Sequence, residues 1–167
     1  NDEMNDLPAG DVGNIVISGK PLFQSYFRNA EASVECMKNG WFLTGDNGYF
    51  DEDGYLNFFD RSKDIIKRAG ENIAATEVER VLNDHAKILE SAVIGVFDPL
   101  RDEAVKAYVV LQDGAELKEE DVIQWCVKYL SKFKVPSFVE FRNDLPKTSI
   151  GKVQKFVLKA EHSKQIG

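Results

Sequence analysis

The sequence predicts an α+β fold: a compact α+β domain with a small antiparallel or mixed sheet and flanking helices, preceded by a β-rich segment. Three observations lead there. After residue 61, helix-spaced and strand-like apolar patterns alternate along the chain instead of falling into blocks. Residues 1–60 hold only short, aromatic strand-like runs between turn residues. Charge divides at the same place: residues 1–60 carry 3 basic and 11 acidic side chains, residues 61–167 carry 18 and 17. Such a break suggests two structural units meeting near Asp60-Arg61.

In the first part, Pro8-Ala9-Gly10-Asp11 is a turn feeding a short strand, Asn14–Ser18. Asn29 to Lys38 reads as a short helix, with Asn29 as its cap and Gly40 after its end. Trp41–Thr44 and Tyr49-Phe50 read as strands on either side of a Gly45-Asp46 turn. Asp51-Glu52-Asp53-Gly54 then turns the chain into Tyr55–Phe59. These elements have no large core of their own, so this part is expected to belong to a larger body.

In the second part, Thr76-Glu77-Val78-Glu79 has the spacing of a capping box, opening a helix through Val81 and Leu82. Ala92–Val96 is a candidate buried strand, and Val105, Ala107, Val109 and Leu111 alternate like a strand. Val122, Ile123, Cys126, Val127 and Leu130 form one helical face, with Glu119, Glu120 and Asp121 at its favoured N-terminal end. Phe138–Phe141 is a short strand, and Lys152 to Glu161 reads as a last helix.

Composition narrows the function. The chain has 167 residues, 43% hydrophobic and 29% charged, which is neither disordered nor fibrous. A net charge of −7 argues against nucleic acid as the main partner. No apolar run approaches the ~20 residues of a membrane span, and no secretory signal opens the chain. The first residue is Asn1, inside a polar stretch, so a piece of a longer protein is expected. Cys36 and Cys126 lie far apart, which reads as reduced thiols in the cytoplasm. His85 and His162 are isolated, so no metal ligands are assigned.

Three segments can carry chemistry. Asp46 follows a glycine, where a carboxylate can accept from the two hydroxyls of a ribose. Arg61, Lys63, Lys67 and Arg68 form a basic group beside Gly70-Glu71-Asn72, suited to a nucleotide or phosphate. Lys152 follows Gly151 in a polar loop, but the Walker A spacing is absent and Val153 replaces its Ser or Thr. Taken singly, each has a plainer explanation: a turn aspartate, a solvated strand face, a surface lysine.

In order and together, they change the reading. The string GWFLTGDNGYFDEDGYLNFFDRSKDIIKRAGENIAATEVERVL, followed by DLPKTSIGKV, resembles the adenylate-forming superfamily of acyl-CoA synthetases, luciferases and peptide-synthetase adenylation domains. Ala9-Gly10-Asp11 to Ser18-Gly19 resembles a strand motif of their large domain. Within the superfamily, RDEAVKAYVVL and KFKVPS are most similar to the crotonobetaine/carnitine–CoA ligases.

The resemblance implies that residues 1–60 are the tail of a large adenylation domain and 61–167 the small C-terminal domain. It implies an AMP-forming carboxylic acid–CoA ligase that makes an acyl adenylate and then a thioester, using ATP, coenzyme A and Mg²⁺, with no metal ligand in this chain. Lys152 would be the adenylation lysine. Asp46 would bind the ribose hydroxyls and Arg61 the ribose and phosphate side. Lys63 takes the position of the hinge residue. Gly70, Glu71 and Asn72 would line the pantetheine tunnel, with Phe133 and Lys134 near the nucleotide end of CoA. Val135 and Ser137 stand where certain relatives have basic residues. The partners implied are a small carboxylic acid, carnitine-like or of short to medium length, and the N-terminal domain. The phosphate loop, adenine pocket and acyl pocket lie upstream in the family, so the chain alone is expected to be inactive. Two rivals remain: an adenylate-forming enzyme with a non-CoA acceptor, and a non-catalytic binding module of the same small-domain fold.

Overall fold

The structure, a computed structural model, describes Asn1 and residues 3–166. The chain divides into two compact units, Asn1–Lys63 and Asp64–Gly167. No helix among the described residues is long and apolar enough to cross a membrane.

The first unit is one sheet and a short helix. Strand β3 (Trp41–Phe50) runs through its centre, flanked by β1 (Gly13–Ile17) and β2 (Met37–Lys38), with β4 (Leu56–Arg61) also paired to it. All pairings are antiparallel. Asp51 ties the β3–β4 turn: its Oδ1 accepts from the Asp53 and Tyr55 amides, and its Oδ2 from the Asn57 side chain. Those bonds hold its carboxyl below the usual carboxylate range, the Asn57 bond most of all.

Two local expectations are corrected here. The helix is only α1 (Ala30–Glu35), capped as expected by the Asn29 side chain on the Ala32 amide. Met37 and Lys38 are instead drawn into pairing with Phe42 and Trp41, and Gly40 lies in the turn of that hairpin. Gly45-Asp46 is not a turn between strands. It is an irregularity inside one continuous β3, where the pairing with β1 slips between Asn14 and Val16 and Gly45 takes φ +76°. A residue without Cβ lets the strand bend there without breaking.

The second unit is a five-stranded sheet with helices on both faces. Strand β8 (Asp102–Leu111) is central, and β7 (Ile88–Asp98) pairs with it antiparallel over its length. Strand β5 (Ile66–Arg68) meets β8 at Arg68–Asp102 and forms a hairpin with β6 (Glu71–Ile73). Strand β9 (Phe138–Arg142) pairs parallel to β8. A parallel neighbour needs a crossover, which α3 (Glu119–Tyr129) supplies.

Successive residues of β7 and β8 face opposite ways. Val93, Val105, Ala107 and Val109 pack with Ile66, Ile73, Val78, Leu82 and Val122, under α2 (Ala75–Asn83) and α3. Ala92, Ile94, Ala104, Tyr108 and Val110 pack with Leu145 and Leu158 of α4 (Lys155–Ile166). Because both faces are covered, β8 is buried almost throughout and not in alternation. Each fully buried Ile or Leu contributes ~1.5–3 kcal/mol. On α3, Trp125 packs against the core, its indole donating to the Val81 carbonyl at 2.7 Å, while Val127 is exposed.

The capping box at Thr76 does not form. Ala74 is the N-cap and offers no side-chain bond, because burial of Ile73, Ala74 and Ala75 sets where the helix starts. Thr76 thus lies inside the helix, and Glu79 reaches outward to the Val93 amide at 2.8 Å. The last helix begins at Lys155, not Lys152.

Candidate functional site

The first unit brings Asp46 and Arg61 together. They are register partners across β3 and β4, and the Arg61 Nε donates to the Asp46 Oδ1 at 3.1 Å. The irregularity at Gly45 aims Asp46: the Thr44 hydroxyl accepts from the Asp46 amide and donates to the Ile15 carbonyl. The Ser62 amide donates to the Gly45 carbonyl at 2.9 Å. Beneath the pair, Asp60 is 1% exposed, its carboxylate accepting from the Arg61 amide at 2.7 Å. The pair itself is open, the side chains 33% and 66% exposed for Asp46 and Arg61. An ion pair so exposed is worth ~0–1 kcal/mol. It can exchange its contacts for ligand hydroxyls and phosphate oxygens at little cost. Lys63, exposed in a turn after β4, ends the unit.

In the second unit, Gly70, Glu71 and Asn72 form the exposed tip of the β5–β6 hairpin. Ala69 and Gly70 both take positive φ, 51° and 85°, as a two-residue hairpin turn requires. Phe133 and Lys134 lie in a 3₁₀ turn, Lys132–Lys134. Lys134 is engaged: its ammonium donates to both carboxylate oxygens of Glu77 at 2.7 Å.

The residue that joins these segments is Arg68. Its guanidinium donates to the Phe133 carbonyl at 2.7 Å, the Val135 carbonyl at 3.3 Å and the Ser137 hydroxyl at 3.1 Å. A groove of ≈ 480 Å³ opens beside it, lined also by Leu130, Lys132 and Pro136. Burial, then the charge of Arg101, lowers the Arg68 pKa, with Asp98 opposing. The sequence places Arg68 in a basic cluster but does not show that its donors go to protein carbonyls 65 and more residues away. The cluster is divided, with Arg61 and Lys63 in one unit and Lys67 and Arg68 in the other.

Lys152 sits on a loop from Leu145 to Gln154. Leu145 is buried against the α4-side core, and Lys147 bridges Val153. The Lys152 amide donates to the Thr148 hydroxyl, and its carbonyl accepts from the Thr148 amide at 2.8 Å. The side chain is exposed, and among the described residues its ammonium has no ion-pair partner. The hairpin tip is rooted by Ile66 and Ile73 in the α2–α3 face, and the Lys152 loop by Leu145 and Val153 in the α4 face. One compact unit thus carries two exposed loops anchored on opposite faces of its sheet.

The α4 face also holds a charged cluster that sequence reasoning missed. Lys106, 7% exposed, contacts Glu140 at 2.7 Å and His162 at 3.1 Å. Arg142 bridges Glu140 and Glu161. Lys106 falls between the alternating Val105 and Ala107, and its partners come from β9 and α4. Burial opposes the charge on Glu140, but bonds from Lys106 and Arg142 win and lower its pKa.

Residues 77–152 match the AMP-binding enzyme C-terminal domain. A crotonobetaine/carnitine–CoA ligase from Citrobacter koseri is 47% identical over 163 residues, 95% of this chain and 32% of that protein. The structure of ATP-bound MatB from Rhodopseudomonas palustris matches with TM-score 0.86 and 38% identity, over 93% of this chain and 31% of that one. The amide bond synthetase McbA from Marinactinospora thermotolerans matches with TM-score 0.85 and 37% identity, over 96% and 33%. The chain spans about a third of the length of the relatives it matches. Residues 77–152, within the second unit, are thus similar to the C-terminal domain of AMP-binding enzymes, and nearly the whole chain is similar to about a third of a crotonobetaine/carnitine–CoA ligase.

Proposed function

We propose that this chain is the C-terminal part of an ATP-dependent, AMP-forming carboxylic acid–CoA ligase. The observation that carries the reading is Lys152: an exposed ammonium on an anchored loop, without an ion-pair partner among the described residues, within a chain 47% identical to a CoA ligase over 163 residues. Residues 1–60 are the tail of the large domain and residues 61–167 the small domain, with Lys63 as the hinge.

In the first half-reaction a substrate carboxylate oxygen attacks the α-phosphorus of ATP. The acyl–phosphate bond forms and pyrophosphate leaves. Lys152 stabilises the charge shared by the α-phosphate and carboxylate oxygens, an electrostatic role that strengthens as water is excluded. Asp46 accepts from the ribose hydroxyls, and Arg61, freed from Asp46, donates to ribose and phosphate oxygens.

In the second half-reaction the thiolate of coenzyme A attacks the acyl carbon and AMP leaves. Gly70, Glu71 and Asn72 line the pantetheine path, and Phe133 and Lys134 lie by the nucleotide end. Two loops on opposite faces of one sheet suit a small domain that turns about Lys63 to present each in its own step. Mg²⁺ would arrive with ATP. Among the described residues no cluster of three His, Cys, Asp or Glu could hold a metal. The acid is proposed to be carnitine-like or another short to medium acid, and the setting cytoplasmic.

The acceptor has a second reading, because an amide bond synthetase is among the structures that match the fold, at TM-score 0.85. The full-length protein, given ATP and a panel of carboxylic acids, is expected to release AMP and form a thioester when CoA is added. Amide formation with amines and no thioester with CoA would favour the alternative acceptor. Absence of acid-dependent pyrophosphate release would contradict both.

A further inference from the structure

Two ion pairs fasten the stretch that bears Lys152, one on each side of it. Five residues before, the Lys147 ammonium contacts the Glu90 Oε1 of β7 at 2.7 Å. Three residues after, the Lys155 ammonium contacts the Glu79 Oε1 of α2 at 2.9 Å. Neither carboxylate belongs to the loop, so each couples it to another element.

The second pair is the more sheltered. The Glu79 and Lys155 side chains are 16% and 14% exposed. The same Glu79 oxygen accepts from the Val93 amide at 2.8 Å, on the outer edge of β7. A carboxylate bonded to a strand backbone is a fixed point, and it fixes the first residue of α4. The first pair is more open, at 38% and 25% for Lys147 and Glu90, so salt screens it more. Together the pairs neutralise the two lysines flanking Lys152, whose ammonium is left without an ion-pair partner among the described residues.

We infer that Glu79 and Glu90 are positioning residues for Lys152. They hold the two ends of its loop against β7, so that the ammonium is presented at one place when the small domain closes for adenylation. The inference rests on the reading of Lys152 as the adenylation lysine. A misplacement of about 1 Å in a reacting group costs ~100-fold in rate. The second half-reaction uses the hairpin tip, no residue of which belongs to either ion pair, so these contacts matter to one step and not to the other.

The test uses the full-length protein and measures two rates: acid-dependent ATP–pyrophosphate exchange, and thioester formation from a preformed acyl adenylate and CoA. The variants are Glu79→Gln, Glu90→Gln, the reversed pair Glu90→Lys with Lys147→Glu, and Lys152→Ala as reference. Glutamine at 79 keeps an acceptor for the Val93 amide and removes only the charge. Exchange is expected to fall ~10-fold or more in Glu79→Gln and less in Glu90→Gln. Thioester formation should stay within about twofold, and the reversed pair should recover most of the loss from Glu90→Gln. The reversed pair is the safer variant for folding because that ion pair is the more exposed. An equal fall in both rates would mean that the pairs only stabilise the domain, and would overturn the inference. So would unchanged exchange in both Gln variants when Lys152→Ala abolishes it. Exchange that survives Lys152→Ala would overturn the parent reading, and this inference with it.

Discussion

At the scale of single residues, the informative groups are polar ones whose partners lie far away in sequence. His162 is the clearest. Burial and then the charge of Lys106 push its pKa below the ordinary 6.5, with Glu140 opposing. The folded state therefore favours the neutral ring, which accepts from the Lys106 ammonium. The unfolded chain takes up a proton near pH 6.5 that the folded chain resists. Stability contributed by the neutral ring is present above that pH and is lost as pH falls through the native value. Glu140, also lowered, loses its contribution only at more acidic pH, as pH falls from the ordinary carboxylate value through its lowered native one. Urea unfolding of the chain at pH 8 and pH 5.5 should show a lower midpoint at pH 5.5, and His162→Gln should shrink that difference. A difference unchanged in the variant would place its origin elsewhere. Lys106 itself was invisible from sequence: a lysine inside a strand reads as an edge or a flaw until Glu140, thirty-four residues on, is brought beside it. Asp46 and Arg61 were legible as a turn acid and a basic cluster, but their facing each other depends on the β3–β4 register.

At the scale of elements, the sequence showed most strands and helices where local pattern and burial agree. The α1 cap at Asn29, the turn at Asp51 and the acidic start of α3 are local devices, and all form. Asp121 of α3 accepts from the Lys118 amide at 3.0 Å, as an acid in the first turn should. Where local chemistry and burial disagreed, burial won. Thr76 and Glu79 have the right types and spacing for a capping box, yet α2 starts earlier because Ile73, Ala74 and Ala75 are buried. Glu79 then becomes available to the edge of β7, where it covers a strand donor that would otherwise invite pairing with another chain. The strand break expected at Gly45-Asp46 failed for a related reason. Pairing with β1 and β4 on either side carries β3 through the irregularity. The alternation expected of β8 failed because α4 covers the face that an exposed sheet would leave to solvent.

At the scale of the whole molecule, the two units differ in what holds them. Every buried hydrophobic residue among the described ones lies at Ile66 or beyond; the buried polar residues before it are Asn47 and Asp60. The second unit has two core clusters and should fold by itself, whereas the first should not. Residues 64–167 expressed alone are expected to unfold cooperatively in urea, and residues 1–63 alone to show no cooperative transition. A non-cooperative 64–167 would contradict the packing described. The acidic excess of residues 1–60 over 61–167 was legible from charge alone, and the unit boundary at Lys63 lies close to that break. The central claim concerns one ammonium on the second unit, and one comparison tests it most directly. Acid-dependent ATP–pyrophosphate exchange and thioester formation from a preformed acyl adenylate should be measured on the full-length protein with and without Lys152→Ala. The account predicts that exchange falls by ~100-fold or more while thioester formation is retained. Exchange that survives the substitution unchanged would contradict it.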